Sequence, residues 1–86
     1  MNIQEKFYDY IEKNDIENVK LILEDKNFDP SANVNWAVFL AYEKNFNNIV
    51  ILLCKDKRVM KNLHFENPKL YRELPKIHIK EKIECF

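Results

Sequence analysis

The side chains able to attack, coordinate or carry a proton are few in this chain and poorly spaced for chemistry. Ser31 is the only serine and threonine is absent. It lies in a Pro30-Ser31-Ala32 turn with no histidine near it in sequence, so no nucleophile beside an activating base is written here. The expected use of its hydroxyl is a turn bond to backbone. A zinc site would have to recruit Cys54, His64, His78 and Cys85, and no two of these have the short separation of structural zinc ligands. Cys85 is the residue before last, whereas a prenylation box needs its cysteine fourth from the end. The acidic pairs Asp9/Glu12 and Glu24/Asp25 read as solvated helix surface. The sequence therefore predicts no catalytic, cofactor-binding or metal-binding residue, and a protein that is not an enzyme.

Composition narrows the classes further. The 86 residues leave room for one domain with a modest core, and an apolar share of 47% is that of a folded globular chain. No apolar run approaches the roughly 20 residues of a membrane span, and the first residues show no basic stretch leading into an apolar one, so neither membrane insertion nor secretion is expected. Two cysteines without a framework pattern fit reduced thiols and a cytoplasmic setting, the host cytoplasm if the source is viral. The net charge of zero conceals a division. Residues 1–43 carry 4 Lys against 9 Asp/Glu, and residues 44–86 carry 10 Lys/Arg against 5 Asp/Glu, giving −5 and +5. Opposite charge at the two halves permits a homo-oligomer that joins unlike ends. The basic run from Lys55 to Lys82 is interleaved with Asp56, Glu66, Glu73, Glu81 and Glu84, which disfavours nucleic acid as a partner.

Apolar spacing places these residues on helices. Ile3, Phe7, Tyr10 and Ile11 predict a helix over 3–13; Ile16, Val19, Ile22 and Leu23 predict a second, capped by Asp15 and ending near Asp25-Lys26. Asn27 to Asn33 is turn chemistry. Asn35 is expected to cap a helix through Trp36-Ala37-Val38-Phe39-Leu40-Ala41 to Lys44, and Asn47 or Asn48 to cap the next, through Ile49 to Lys55. A second connector is expected over 57–66. Asn67-Pro68 opens a further short helix, and residues 76–86 fit a helix better than a strand.

Two of these stretches are one pattern written twice, 31 positions apart. Residues 12–26 and 43–57 share Glu12/Glu43, Lys13/Lys44, Asn14/Asn45, Val19/Val50, Leu21/Leu52, Asp25/Asp56 and Lys26/Lys57. A unit of this length cannot bury its apolar face alone and must stack on a neighbour. Glycine is absent, so any backbone position needing positive φ falls to Asn or Asp.

The stretch Asn14-Asp15-Ile16-Glu17-Asn18-Val19-Lys20-Leu21-Ile22-Leu23 resembles the second helix of ankyrin repeats. Phe28-Asp29-Pro30-Ser31-Ala32-Asn33-Val34-Asn35-Trp36-Ala37-Val38-Phe39-Leu40-Ala41 is similar to the connector and first helix of the ankyrin variant found in large DNA viruses of amoebae and in amoebal genomes. The likeness covers about residues 3–62. It departs from the family in placing Asn14 and Asn45 where the family has glycine, in lacking the Thr-Pro-Leu-His helix start, and in units about two residues short, so that the projecting finger becomes a compact turn.

The resemblance implies an all-α fold: a short ankyrin-like solenoid of two helix-turn-helix repeats (about 3–33 and 34–64) plus a divergent C-terminal helical cap (about 65–86), forming one domain over 1–86. It implies a non-enzymatic module that binds a protein partner through the concave first-helix and connector surface. On that surface the candidates are Glu12, Lys13, Asn33, Asn35, Trp36, Phe39, Glu43, Lys44 and Phe46. For Trp36 a packing role competes with an anchoring one. The alternatives are a small viral inhibitor or adaptor acting by charge mimicry, and a nucleic-acid-associated protein using the basic half.

Overall fold

The computed structural model describes residues 2–74, which form six packed helices and, among the described residues, no strand. The expectations placed on residues 75–86, including the choice of helix or strand around Ile77 and Ile79 and the positions of His78 and Cys85, lie outside the described residues.

The first two helices follow their apolar spacing closely. Helix α1 (Ile3–Glu12) buries Phe7 and Ile11, one turn apart, and begins where the Asn2 side chain accepts from the Glu5 N–H at 2.8 Å. Helix α2 (Ile16–Leu23) buries Val19 and Ile22; Asp15 caps it, accepting from the Asn18 side-chain amide at 2.7 Å and from its backbone N–H at 3.3 Å. Between them Asn14 takes φ 56°. The Asn14 N–H donates to Ile11 O at 3.0 Å and the Asp15 N–H to Tyr10 O at 2.8 Å. These are the two bonds of a Schellman motif, which satisfies the last carbonyls of a helix and needs a left-handed residue at its turn.

The same turn recurs 31 residues later. Helix α3 (Ala32–Glu43) ends with Asn45 at φ 61°, the Asn45 N–H donating to Tyr42 O and the Phe46 N–H to Ala41 O, both at 3.0 Å. The positive φ expected at Asn14 and Asn45 is thus present at both. Because glycine reaches this region without the Cβ clash that a β-branched side chain meets, Asn45→Gly should leave stability unchanged or raise it by up to about 1 kcal/mol. Asn45→Val should lower it by at least about 1 kcal/mol. Urea unfolding of the two variants checks this, and equal midpoints would mean that the turn carries no left-handed strain.

Helix α4 (Asn47–Cys54) follows, with Ile49, Val50, Leu53 and Cys54 buried. Its cap is Phe46, which offers no side-chain bond; Asn47 is the first helical residue, so neither Asn47 nor Asn48 caps it as expected. Helices α1 and α2 pack together, as do α3 and α4; α1 also lies on α3, and α2 on α4. Phe7, Ile11, Val19 and Ile22 of the first unit and Val38, Ala41, Val50 and Leu53 of the second are all buried.

Two further expectations are overturned. Asn35 does not cap a right-handed helix: Asn33, Val34 and Asn35 have φ of 57°, 58° and 59°, one turn of left-handed helix from which the right-handed segment starts at Trp36. In the absence of glycine, asparagine supplies two of these three positions; Val34, β-branched, bears the strain with its side chain in solvent. Residues 57–66 are not a connector but helix α5 (Lys57–Glu66), so a repeat boundary at 64 would fall inside a helix. The Asp56 side chain caps it, accepting from the Arg58 N–H at 2.9 Å, and Val59 and Leu63, at helical spacing, are buried against α3 and α4. Helix α6 (Pro68–Glu73) starts as expected, with proline first and the Asn67 side chain accepting from the Leu70 N–H at 3.1 Å.

The first connector stays irregular but is anchored. Phe28 and Pro30 are buried, and the Phe28 ring meets that of Phe7 edge-on at 4.8 Å. Asp29 accepts from the Ser31 N–H at 3.0 Å and its hydroxyl at 2.6 Å, so the serine bonds a carboxylate rather than the expected backbone group. Arg58, reaching over from α5, donates to the carbonyls of Leu23, Asp25 and Phe28. Although it belongs to the basic run of the sequence, it holds the connector.

Candidate partner-binding face

The nine candidate residues divide by position on the helices. Asn33 stands at the start of α3 and donates through its side-chain amide to the Tyr8 hydroxyl of α1 at 2.9 Å, which joins the two first helices at the surface. Trp36 is 43% exposed, large for a tryptophan in a domain of this size, and its ring lies 5.3 Å from that of half-buried Phe39. Val34, one step before, is 63% exposed. Tyr8, Asn33, Val34, Trp36 and Phe39 therefore form an aromatic-edged surface that a partner can reach. The packing reading of Trp36 is met only on its Phe39 side.

Two turns along α3, about 10 Å by helix rise, Glu43 and Lys44 are exposed at its C-terminal end. Phe39 and Glu43 share a small cleft of about 90 Å³ with Tyr42, Asn67, Leu70 and Glu73. Tyr42 donates its hydroxyl to Glu73 across that cleft at 3.4 Å. Glu12 and Lys13 hold the equivalent exposed place at the end of α1. Lys13 bonds Asp9 at 2.9 Å on the same helix, and that hydrogen bond holds the ammonium above its ordinary value. Phe46 is half-buried in the turn into α4.

Asn35 does not belong to this surface. It is 1% exposed, and its side-chain amide donates inward to Val59 O at 3.1 Å and to the Glu66 carboxylate at 2.8 Å. The left-handed turn aims it at α5 rather than at solvent, so its role is to tie α3 to α5. What the candidates omit is the contribution of Tyr42 and of α6; α6 enters the face only because α5 fills the place expected for a connector.

Among the described residues no group of three or more His, Cys, Asp or Glu side chains converges as a metal site would, and no helix is long and apolar enough to cross a membrane. Cys54 is fully buried in the core. The chain matches no protein-family model, no curated protein and no solved structure.

Proposed function

We propose that this chain is a short ankyrin-like solenoid acting in the cytoplasm as a non-enzymatic protein-interaction module, with Trp36 as the anchor of its binding face. The observation that carries the reading is that the 31-residue spacing of the sequence reappears in the packing. The Schellman turns at Asn14 and Asn45 use equivalent bonds, α1 lies on α3 as α2 lies on α4, and the side-chain bonds from Asn35 to Glu66 and from Tyr42 to Glu73 again span 31 residues. Stacked units of this kind generate an extended surface on one side, and exposed tryptophan is the residue most enriched among binding hot spots.

The exposed pairs at the ends of the first helices, Glu12/Lys13 and Glu43/Lys44, give that surface a rim of both signs, which steers association more than it adds affinity. The test is quantitative affinity capture from cell extract treated with nuclease, at two salt concentrations, with wild type and Trp36→Ala as baits. A protein retained by wild type in both salts should lose at least about 30-fold in affinity with Trp36→Ala, the effect of a hot spot of about 2 kcal/mol. Partners that bind both baits equally would refute Trp36 as the anchor. Capture that disappears with nuclease would refute the protein-binding reading.

A further inference from the structure

A second, chemically different concavity shares no lining residue with the Trp36 face. A cleft of about 460 Å³ is lined by Lys55, Lys57, Met60, Lys61, His64 and Tyr71, within the size range of small-ligand sites. Lys57, Lys61 and His64 follow one another at helical spacing on a single face of α5, and Lys55 approaches from the end of α4. None of the three lysines forms an ion pair among the described residues.

Among the described residues, the interleaving carboxylates Asp56, Glu66 and Glu73 do not line the cleft. Asp56 is turned inward and gripped by the Arg58 guanidinium through bonds of 2.9 and 2.6 Å. Glu66 accepts from buried Asn35, and Glu73 accepts from Tyr42 on the other side of α6. Among the described residues, a stretch that alternates in sign along the chain therefore presents its lysines, and no carboxylate, in the cleft. Flat rings sit beside that charge: His64 lies 4.4 Å from Phe65 and 5.9 Å from Tyr71, measured between ring centres, and Phe65 is 65% exposed.

We propose that this cleft binds a nucleotide unit, its phosphate neutralised by Lys55, Lys57 and Lys61 and its base laid against the His64 and Tyr71 rings. A run of Asp and Glu would satisfy the lysines, but those side chains offer no aromatic face to the rings, whereas a nucleotide carries phosphate and flat base in one unit. Base–aromatic stacking beside a basic groove is the chemistry by which single strands are held without sequence preference. A free nucleotide and a strand share that chemistry, and the experiment separates them.

Fluorescence anisotropy of a labelled twelve-residue oligothymidylate is measured at 50 mM and 200 mM salt. Three phosphate neutralisations on a single strand predict a fall in affinity of about 20-fold over that range. The double variant Lys57→Glu/Lys61→Glu should weaken binding at least about 10-fold. The charge-matched control Lys6→Glu/Lys26→Glu, two exposed lysines outside the cleft, should stay within about 2-fold. Circular dichroism confirms that both variants fold. Unlabelled adenosine monophosphate competing at concentrations near its own dissociation constant would assign the site to free nucleotide; competition only by oligomer would assign it to a strand. No binding at 50 mM salt, equal weakening in the two double variants, or equal competition by polyglutamate would each overturn the proposal.

Discussion

Leu53→Ala is expected to remove about 2–5 kcal/mol of stability, the cost of deleting three buried carbons and leaving a cavity that the surroundings only partly fill. Leu53 is fully buried in α4, whose neighbours are α2, α3 and α5, so its loss is felt by most of the packed helices. A domain of this size holds only about 5–15 kcal/mol in all, and each kcal/mol is worth about 4–8 °C of melting temperature. The variant should melt at least about 10 °C below wild type, or fail to fold at 37 °C. Ile22→Ala, at the equivalent place in α2 and 8% exposed, should follow the same direction with a smaller loss. Thermal unfolding followed by far-ultraviolet circular dichroism gives the answer. If both variants melt within a degree or two of wild type, the 31-residue register assigned to the core is wrong.

Arg58→Met should cost about 3 kcal/mol although it keeps the aliphatic stem and disturbs little packing. The guanidinium donates to three carbonyls of the first connector and grips Asp56 through two bonds; its removal leaves Leu23 O, Phe28 O and Asp56 Oδ2 without these donors, while Asp25 O keeps the Phe28 N–H and Asp56 Oδ1 the backbone N–H of residue 58. Bonds to a charged group contribute about 1.5–3 kcal/mol each when buried; the Arg58 side chain is 30% exposed, so water recovers part of the loss. Arg58→Lys should rescue little, because a point ammonium cannot reproduce a planar fork. A lysine variant as stable as wild type would show that only the charge matters.

The pair also sets an acid limit. Burial pushes the Asp56 carboxyl up, but the bonds and charge of Arg58 outweigh it and hold the carboxyl below its ordinary value; the Asp56 bond in turn raises the Arg58 guanidinium. A group whose folded value is depressed contributes stability above its unfolded value and loses it as pH falls. Stability attributable to this pair is therefore present at neutral pH and fades below about pH 4. Asp56→Asn should flatten that part of the pH–stability curve while lowering stability at pH 7.

Helical periodicity made the right-handed parts of α1 to α4 legible to within about three residues, because each carries apolar residues at one-turn spacing and an interruption at Asn14 or Asn45. The left-handed turn at Asn33–Asn35 was not legible. Asn35 is a good helix cap by type, and only the position of α5 decides that its amide turns inward. Helix α5 was concealed for the opposite reason. The first unit has a true connector at the equivalent place, held by Asp25, Asp29 and Pro30, and the repeat invited the same reading of residues 57–66. The signal against it was present: Asp56 as a cap, then Val59 and Leu63 one turn apart, with no proline. Of the candidate residues, Trp36 and the helix-end charges are exposed, whereas Arg58 could be separated from the basic run only by the carbonyls it meets.

Asn35 and Arg58 bridge elements 24 to 35 residues apart. A linear stack of helix pairs can usually fray from its end, one pair at a time, since each pair leans only on its neighbour. Here lifting α5 away strips the bonds from Asn35 in α3 and, in the same movement, uncovers the loop after α2. The terminal pair cannot be surrendered cheaply. An unfolding machine or protease working inward from the α6 side should meet its main resistance at the first step, and once past it should find no stable intermediate on which to stall.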